Sequence, residues 1–124
     1  MTRDELIEDL VGQGWSREHA QLGTNAGFSC EYCDRHLLRS IEDYDSWQID
    51  HIDPVSKGGP EDDIDNKALC CKTCNFMKRD QKSDRSTRKE RIAFFRQEIH
   101  KKRKRKQEEL HAILDAVRQW RQTE

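Results

Sequence analysis

The chain reads as an α+β protein: a small, turn-rich central unit flanked by helices. Three observations predict this. Two Cys-x2-Cys pairs, Cys30/Cys33 and Cys71/Cys74, stand 37 residues apart. Helical periodicity is clear on both sides of that segment and weak inside it. The 124 residues are 33% hydrophobic and 38% charged, with a mean hydropathy of −1.12. So small and polar a domain buries little apolar surface and needs a further brace.

Each element follows in order. Thr2-Arg3-Asp4-Glu5 forms a capping box before Leu6, Ile7, Leu10 and Val11, which share one helix face. Gly12 and Gly14 should end that helix. Ser16 should cap a second, running to about Leu22 and stopped by Gly23. Trp47 to Ile52 alternates up to Pro54 and reads as a short strand. Lys57 to Asp63 is a loop, with Pro54, Gly58 and Gly59 as turn formers. Lys67 to Cys70 reads as the returning strand, and a helix should begin near Asn75. Ser83 to Ser86 offers a break and a new cap. Ile92, Phe95 and Ile99 then mark one helix face; Leu110, Ile113, Leu114, Val117 and Trp120 mark another further on. One long helix or two should carry both. The organisation expected is a helical segment over 1–24, the central unit over 25–82 and a helical arm over 83–124.

The net charge of −1 conceals an asymmetry. Residues 1–75 carry a net −9, residues 76–106 a net +10 and residues 107–124 a net −2. An acidic body on a basic arm points to a polyanion for the arm. No run approaches a membrane span, and the acidic, amphipathic start is not a targeting peptide. A cytoplasmic location is therefore expected, where paired cysteines hold metal more often than disulfides.

Two Cys-x2-Cys turns brought together make a four-thiolate zinc site. Redox motifs are the rival reading, but the βαβ setting they need is absent. Cys30, Cys33, Cys71 and Cys74 are the expected structural zinc ligands. Cys70 is the odd thiol, and His36 is at most a substitute ligand.

Inside this frame stand Asp50-His51, Asn66 and Asn75. Phosphodiester hydrolysis needs a base for water and a cation for developing charge. His51 has a suitable intrinsic pKa. Asp50, its strand neighbour, points to the other face. Asp50 and Asn75 are hard oxygen donors suited to Mg²⁺ or Mn²⁺.

The text WQIDHIDPVSKGG, followed by DNKALCCKTCNFMK, resembles the HNH endonuclease family over about residues 28–80. The resemblance implies a ββα-metal unit. It implies His51 as general base, Asp50 and Asn75 on a catalytic divalent metal, and Asn66 pinning the loop that orients His51. Many family members have His where Asn75 stands, and asparagine there argues for a cation harder than zinc.

Lys78, Arg85, Arg88, Lys89 and Lys101, Lys102, Arg103, Lys104, Arg105 and Lys106 are candidate nucleic-acid contacts; solvated helix faces are the alternative. The stripe from Leu110 to Trp120 should cover the core, or join a homodimer or a larger complex. The function expected is a metal-dependent endonuclease acting on nucleic acid, DNA before RNA, with restriction or anti-phage defence as one role. The rival is a zinc-stabilised nucleic-acid-binding or adaptor subunit without activity. A zinc deaminase is excluded because no His-x-Glu occurs, and a metalloprotease because His-Glu-x-x-His is missing.

Overall fold

The computed structural model describes residues 1–123. Helices α1 (Arg3–Gly12), α2 (Arg17–Asn25) and the short α3 (Ile41–Asp45) precede strand β1 (Trp47–His51). Single 3-10 turns at Val55–Lys57 and Ile64–Asn66 lead to strand β2 (Lys67–Cys71). Helix α4 (Lys72–Lys78) follows β2 directly, and α5 (Arg88–Thr123) closes the order. β1 and β2 form an antiparallel pair in which Asp50 faces Ala68 and Trp47 faces Cys71. The arrangement is the α+β class expected, consistent with a ββα-metal unit.

The caps explain the first two helices. Thr2 Oγ1 accepts from the Glu5 amide at 3.1 Å, and the Glu5 carboxylate accepts from the Thr2 amide at 3.1 Å. Ser16 Oγ caps α2 through the His19 amide. That helix does not stop at Gly23, as its glycine suggested; it continues to Asn25. Gly23 is buried, and a Cβ there would lie 2.8 Å from the Phe28 ring and 3.2 Å from Trp47. Gly23 therefore permits close ring packing and does not terminate the helix. Trp47 packs among Trp15, Tyr44 and His19, nearest to Trp15 at 4.7 Å between ring centroids. α3 was not expected; five residues behind the Ser40 cap are too few for periodicity to show.

Two later starts also differ from expectation. α4 begins at Lys72, not near Asn75, because Cys71 caps it: its sulfur accepts from the Cys74 amide. α5 begins behind Thr87, whose Oγ1 accepts from the Glu90 amide at 3.1 Å. Ser83, within the expected break, is buried instead against Asp53.

β2 is buried along its whole length. Leu69, Ile52, Leu37 and Tyr32 meet Phe95 and Ile99 of α5, with Ile92 at the margin. α5 is one helix of 36 residues, about 54 Å long. Its distal stripe does not cover the chain's own core. Leu110, Ile113, Leu114 and Trp120 are 45–58% exposed, because the body ends before the helix reaches them. No helix of the described residues is long and apolar enough to cross a membrane.

Candidate active site and metal centre

The four paired cysteines converge. Their sulfurs all lie within 4.8 Å of one another, and the Cys33–Cys71 separation is 3.8 Å. Tetrahedral zinc with bonds of about 2.3 Å spaces its sulfurs about 3.8 Å apart, so the cluster fits that ion. The first pair sits in a tight turn closed by Cys30 N to Arg35 O at 2.8 Å and Asp34 N to Cys30 O at 2.9 Å. Asp34 completes it in the left-handed region, at φ 68°. The second pair spans the β2–α4 junction, Cys71 as cap and Cys74 in the first turn. Hydrogen bonding from Cys30 lowers the Cys33 thiol to about 6, and the same neighbour pulls Cys71 down as well.

Cys70 lies outside the cluster, and burial pushes its thiol up. His36 is not a ligand either; its Nδ1 accepts from the Leu38 amide at 3.1 Å.

The loop after β1 is pinned by Asn66. Its Oδ1 accepts from the Asp53 amide, and its Nδ2 donates to the carbonyls of Asp53 and Pro60, each at 2.9 Å. The Ile52 amide donates to the Asn66 carbonyl at 2.7 Å. Gly59 closes the same loop so tightly that a Cβ would lie 1.9 Å from the Asp53 oxygen. This frame sets the position of Glu61, whose carbonyl lies 2.9 Å from His51 Nε2. A carbonyl only accepts, so Nε2 carries a proton, and in the neutral imidazole this tautomer leaves the lone pair on Nδ1.

Asp50 faces α4 from the other side of β1. Its Oδ2 accepts from the Tyr32 hydroxyl at 2.7 Å and lies 3.2 Å from Lys78 Nζ. Burial raises the Asp50 carboxyl, and the Lys78 ammonium opposes that shift without cancelling it. Burial and the nearby Asp50 charge also push the Tyr32 hydroxyl well up, so Tyr32 stays a donor. Asn75 Nδ2 donates to Gln48 Oε1 at 3.2 Å. Gln48 and Asp50 are two residues apart on one strand face, and Asn75 and Lys78 are one turn apart on α4. The two pairs therefore meet across one strand–helix interface.

The interface leaves two oxygens without protein partners among the described residues, Asp50 Oδ1 and Asn75 Oδ1. These are hard oxygen donors, the type that divalent cations of the Mg²⁺ class take.

Lys78 is no surface lysine. It is 1% exposed, donates to the His51 carbonyl at 3.2 Å, and lies 4.3 Å above the Phe95 ring. Its place one turn after Cys74 and Asn75 on α4 is the signal that could have shown it turned inward. Three others of the candidate nucleic-acid contacts also face the body. Arg88 pairs with Glu31 and the Lys67 carbonyl, Lys102 donates to the Met77 carbonyl, and Arg103 points at the cysteine sulfurs. Arg85 stacks on Phe94. Lys89, Lys101, Lys104, Arg105 and Lys106 are exposed, with Lys101 and Lys106 near Glu98 and Glu109. Tyr32 and Gln48 had not been singled out in the sequence, because nothing local marks a tyrosine or glutamine for partners 18 and 27 residues away.

Residues 30–81 match the family model described as HNH endonuclease. Over this segment, 52 of the 124 residues, the chain is similar to an HNH unit. α1, α2 and the whole of α5 lie outside the match. No curated protein and no solved structure matches the chain. The HNH unit holds both the sulfur cluster and the Asp50–His51–Asn66–Asn75 set.

Proposed function

We propose that the HNH unit is a working metal-dependent endonuclease that hydrolyses phosphodiester bonds, with DNA as the preferred substrate. The observation that supports this best is the contact of His51 Nε2 with the Glu61 carbonyl at 2.9 Å. In the neutral ring that contact selects the tautomer whose Nδ1 can accept a proton. In this reading Nδ1 takes the proton from the attacking water, and the Glu61 carbonyl stabilises the imidazolium that results. Asn66 acts on His51 at a distance by holding the loop that carries Glu61.

Asp50 Oδ1 and Asn75 Oδ1 would hold the Mg²⁺ or Mn²⁺; when bound, that ion offsets charge on the phosphate and the departing oxygen. Tyr32 and Lys78 keep Asp50 in place through its other oxygen. The four cysteines would hold a structural zinc that ties the turn before β1 to α4. The exposed cations Lys89, Lys101, Lys104, Arg105 and Lys106 would follow the phosphate backbone and give affinity without sequence readout. The exposed stripe from Leu110 to Trp120 would serve a protein contact, a second copy or a larger assembly.

One observation favours the alternative of a binding or adaptor subunit. The Lys78 ammonium already offsets the Asp50 charge, which weakens the attraction for a second cation. The two readings separate in one assay. Supercoiled plasmid is incubated with the wild-type chain and with His51→Ala, in Mg²⁺, Mn²⁺ or EDTA. The enzyme reading expects metal-dependent nicking or linearisation, reduced about 10²–10⁴-fold in the variant. Folded, zinc-loaded protein that binds the plasmid and never cuts it would establish the alternative.

A further inference from the structure

The most unusual contact in the molecule joins α5 to the sulfur cluster. Arg103 places one guanidinium nitrogen 3.2 Å from Cys74 Sγ, 3.4 Å from Cys71 Sγ and 3.7 Å from Cys33 Sγ. These are N–H···S distances, made from 29, 32 and 70 residues away in sequence. Two other guanidiniums stand beside the same pocket, and both have carboxylates: Arg35 pairs with Asp43, and Arg96 pairs with Asp34 while donating to the Glu31 carbonyl. Arg103 has no carboxylate partner among the described residues, and its Nε is buried without a hydrogen bond. Among the described residues its guanidinium contacts only the sulfurs.

That arrangement has an electrostatic consequence. Four thiolates on one Zn²⁺ leave a net charge of about −2 on the centre. A half-buried guanidinium bridging three of those sulfurs offsets part of it and is itself satisfied by it. Without the loaded centre, Arg103 would be a desolvated cation facing uncharged groups. Arg103 is also, with Lys102, the last residue of α5 to touch the body; from Lys104 to Thr123 every side chain is exposed apart from half-buried Val117. Whatever holds Arg103 therefore sets the direction of the free basic turn Lys104 to Lys106.

We propose that Arg103 is the charge partner of the four-cysteine metal centre, and that metal occupancy through this residue fixes α5 on the HNH unit. The inference rests on reading the cluster as a zinc site. The coupling is reciprocal: Arg103 raises zinc affinity by the same factor that zinc favours the docked helix.

The test is competition for zinc against a chromophoric chelator, with amide exchange across α5 on the zinc-loaded chains. Arg103→Gln should weaken zinc about 10- to 100-fold, the range for lost partners of metal ligands. It should also raise exchange over residues 96–103 while β1 and β2 stay protected. Arg103→Lys should fall between, since an ammonium keeps the charge but cannot span three sulfurs. Lys102→Ala is the control: it removes a contact to Met77 from the same turn and should leave zinc affinity unchanged.

Zinc affinity in Arg103→Gln equal to the wild type, or an equal loss in Lys102→Ala, would overturn the proposal and leave the zinc reading standing. A wild-type chain that takes up no zinc would overturn the zinc reading and the proposal together. Should Arg103→Gln fail to fold, Arg103→Lys decides: weakened zinc binding in a folded chain supports the proposal, and wild-type binding refutes it.

Discussion

Asp50 and Lys78 carry the sharpest energetic statement at the level of single residues. Lys78 is fully enclosed, and its ammonium has the Asp50 carboxylate, one carbonyl and a ring face for company. Removing one member of a buried pair strands the other, which typically costs about 3–5 kcal/mol. Lys78→Met should therefore lower the unfolding free energy by that order in urea melts, and a loss near zero would show that Asp50 can recover water. The pH dependence of Asp50 has a definite sign. Burial lifts its folded-state value above the ordinary 3.8, so the folded chain holds that proton more tightly than the unfolded chain. Stability contributed by Asp50 then falls as pH rises from about 3.8 through the raised value. The stability of the wild type relative to Asp50→Asn should decline across that window, and a rise would mean that Lys78 outweighs burial. Asn66 offers a third case. Its amide makes three hydrogen bonds to backbone, and Asn66→Ala leaves those groups unpaired at about 1–3 kcal/mol for each that stays dry. In the enzyme reading, cleavage should fall along with stability, because Glu61 then no longer holds His51.

Turns and helix ends decide the elements. Gly59 and Gly12 make a matched pair for testing this. At Gly59 a Cβ would collide with the Asp53 carbonyl, whereas at Gly12 nothing lies within 4 Å. Gly59→Ala should destabilise and disturb the loop beside His51. Gly12→Ala should be neutral or stabilise by about 0.5–1 kcal/mol, the helix preference of alanine over glycine. Melting temperatures of the two variants check both statements. α5 permits an equally direct test. Its last sixteen described residues, 108–123, contribute no buried side chain. Ending the chain at Gln107 should leave the unfolding midpoint in place, and a marked drop would reveal packing that the stripe is not seen to make.

For the molecule as a whole, the four-cysteine cluster is placed to brace a small core. Two five-residue strands cannot hold themselves together, and the cluster around Phe95 and Ile99 is that of a small domain. Chelating the zinc should collapse the HNH unit, with loss of near-ultraviolet signal from its aromatic residues, while α1 and the free end of α5 retain helical signal. Native-like tertiary signal in stripped protein would place the stability elsewhere.

The sequence by itself determined the elements whose causes are local. The Thr2 and Ser16 caps, the alternating Trp47–Ile52 strand, the 3.6-residue face of Ile92, Phe95 and Ile99, and the two Cys-x2-Cys turns all act through neighbours a few positions away. The candidate set Asp50, His51, Asn66 and Asn75 was legible for a related reason: those residue types suit one chemistry, and their spacing places them on a strand, a loop and a helix of one small unit. Tertiary structure alone decided where the cations go. Lys78, Arg88, Lys102 and Arg103 look like surface charge in a linear reading, and each finds its anion or carbonyl 21 or more residues away. It likewise decided that Gly23 serves a ring contact and not a helix stop, and that the Leu110–Trp120 stripe leaves the core uncovered. The physical reason is range: capping and periodicity are written into adjacent residues, whereas desolvation and long-range charge pairing exist only once the chain has closed on itself.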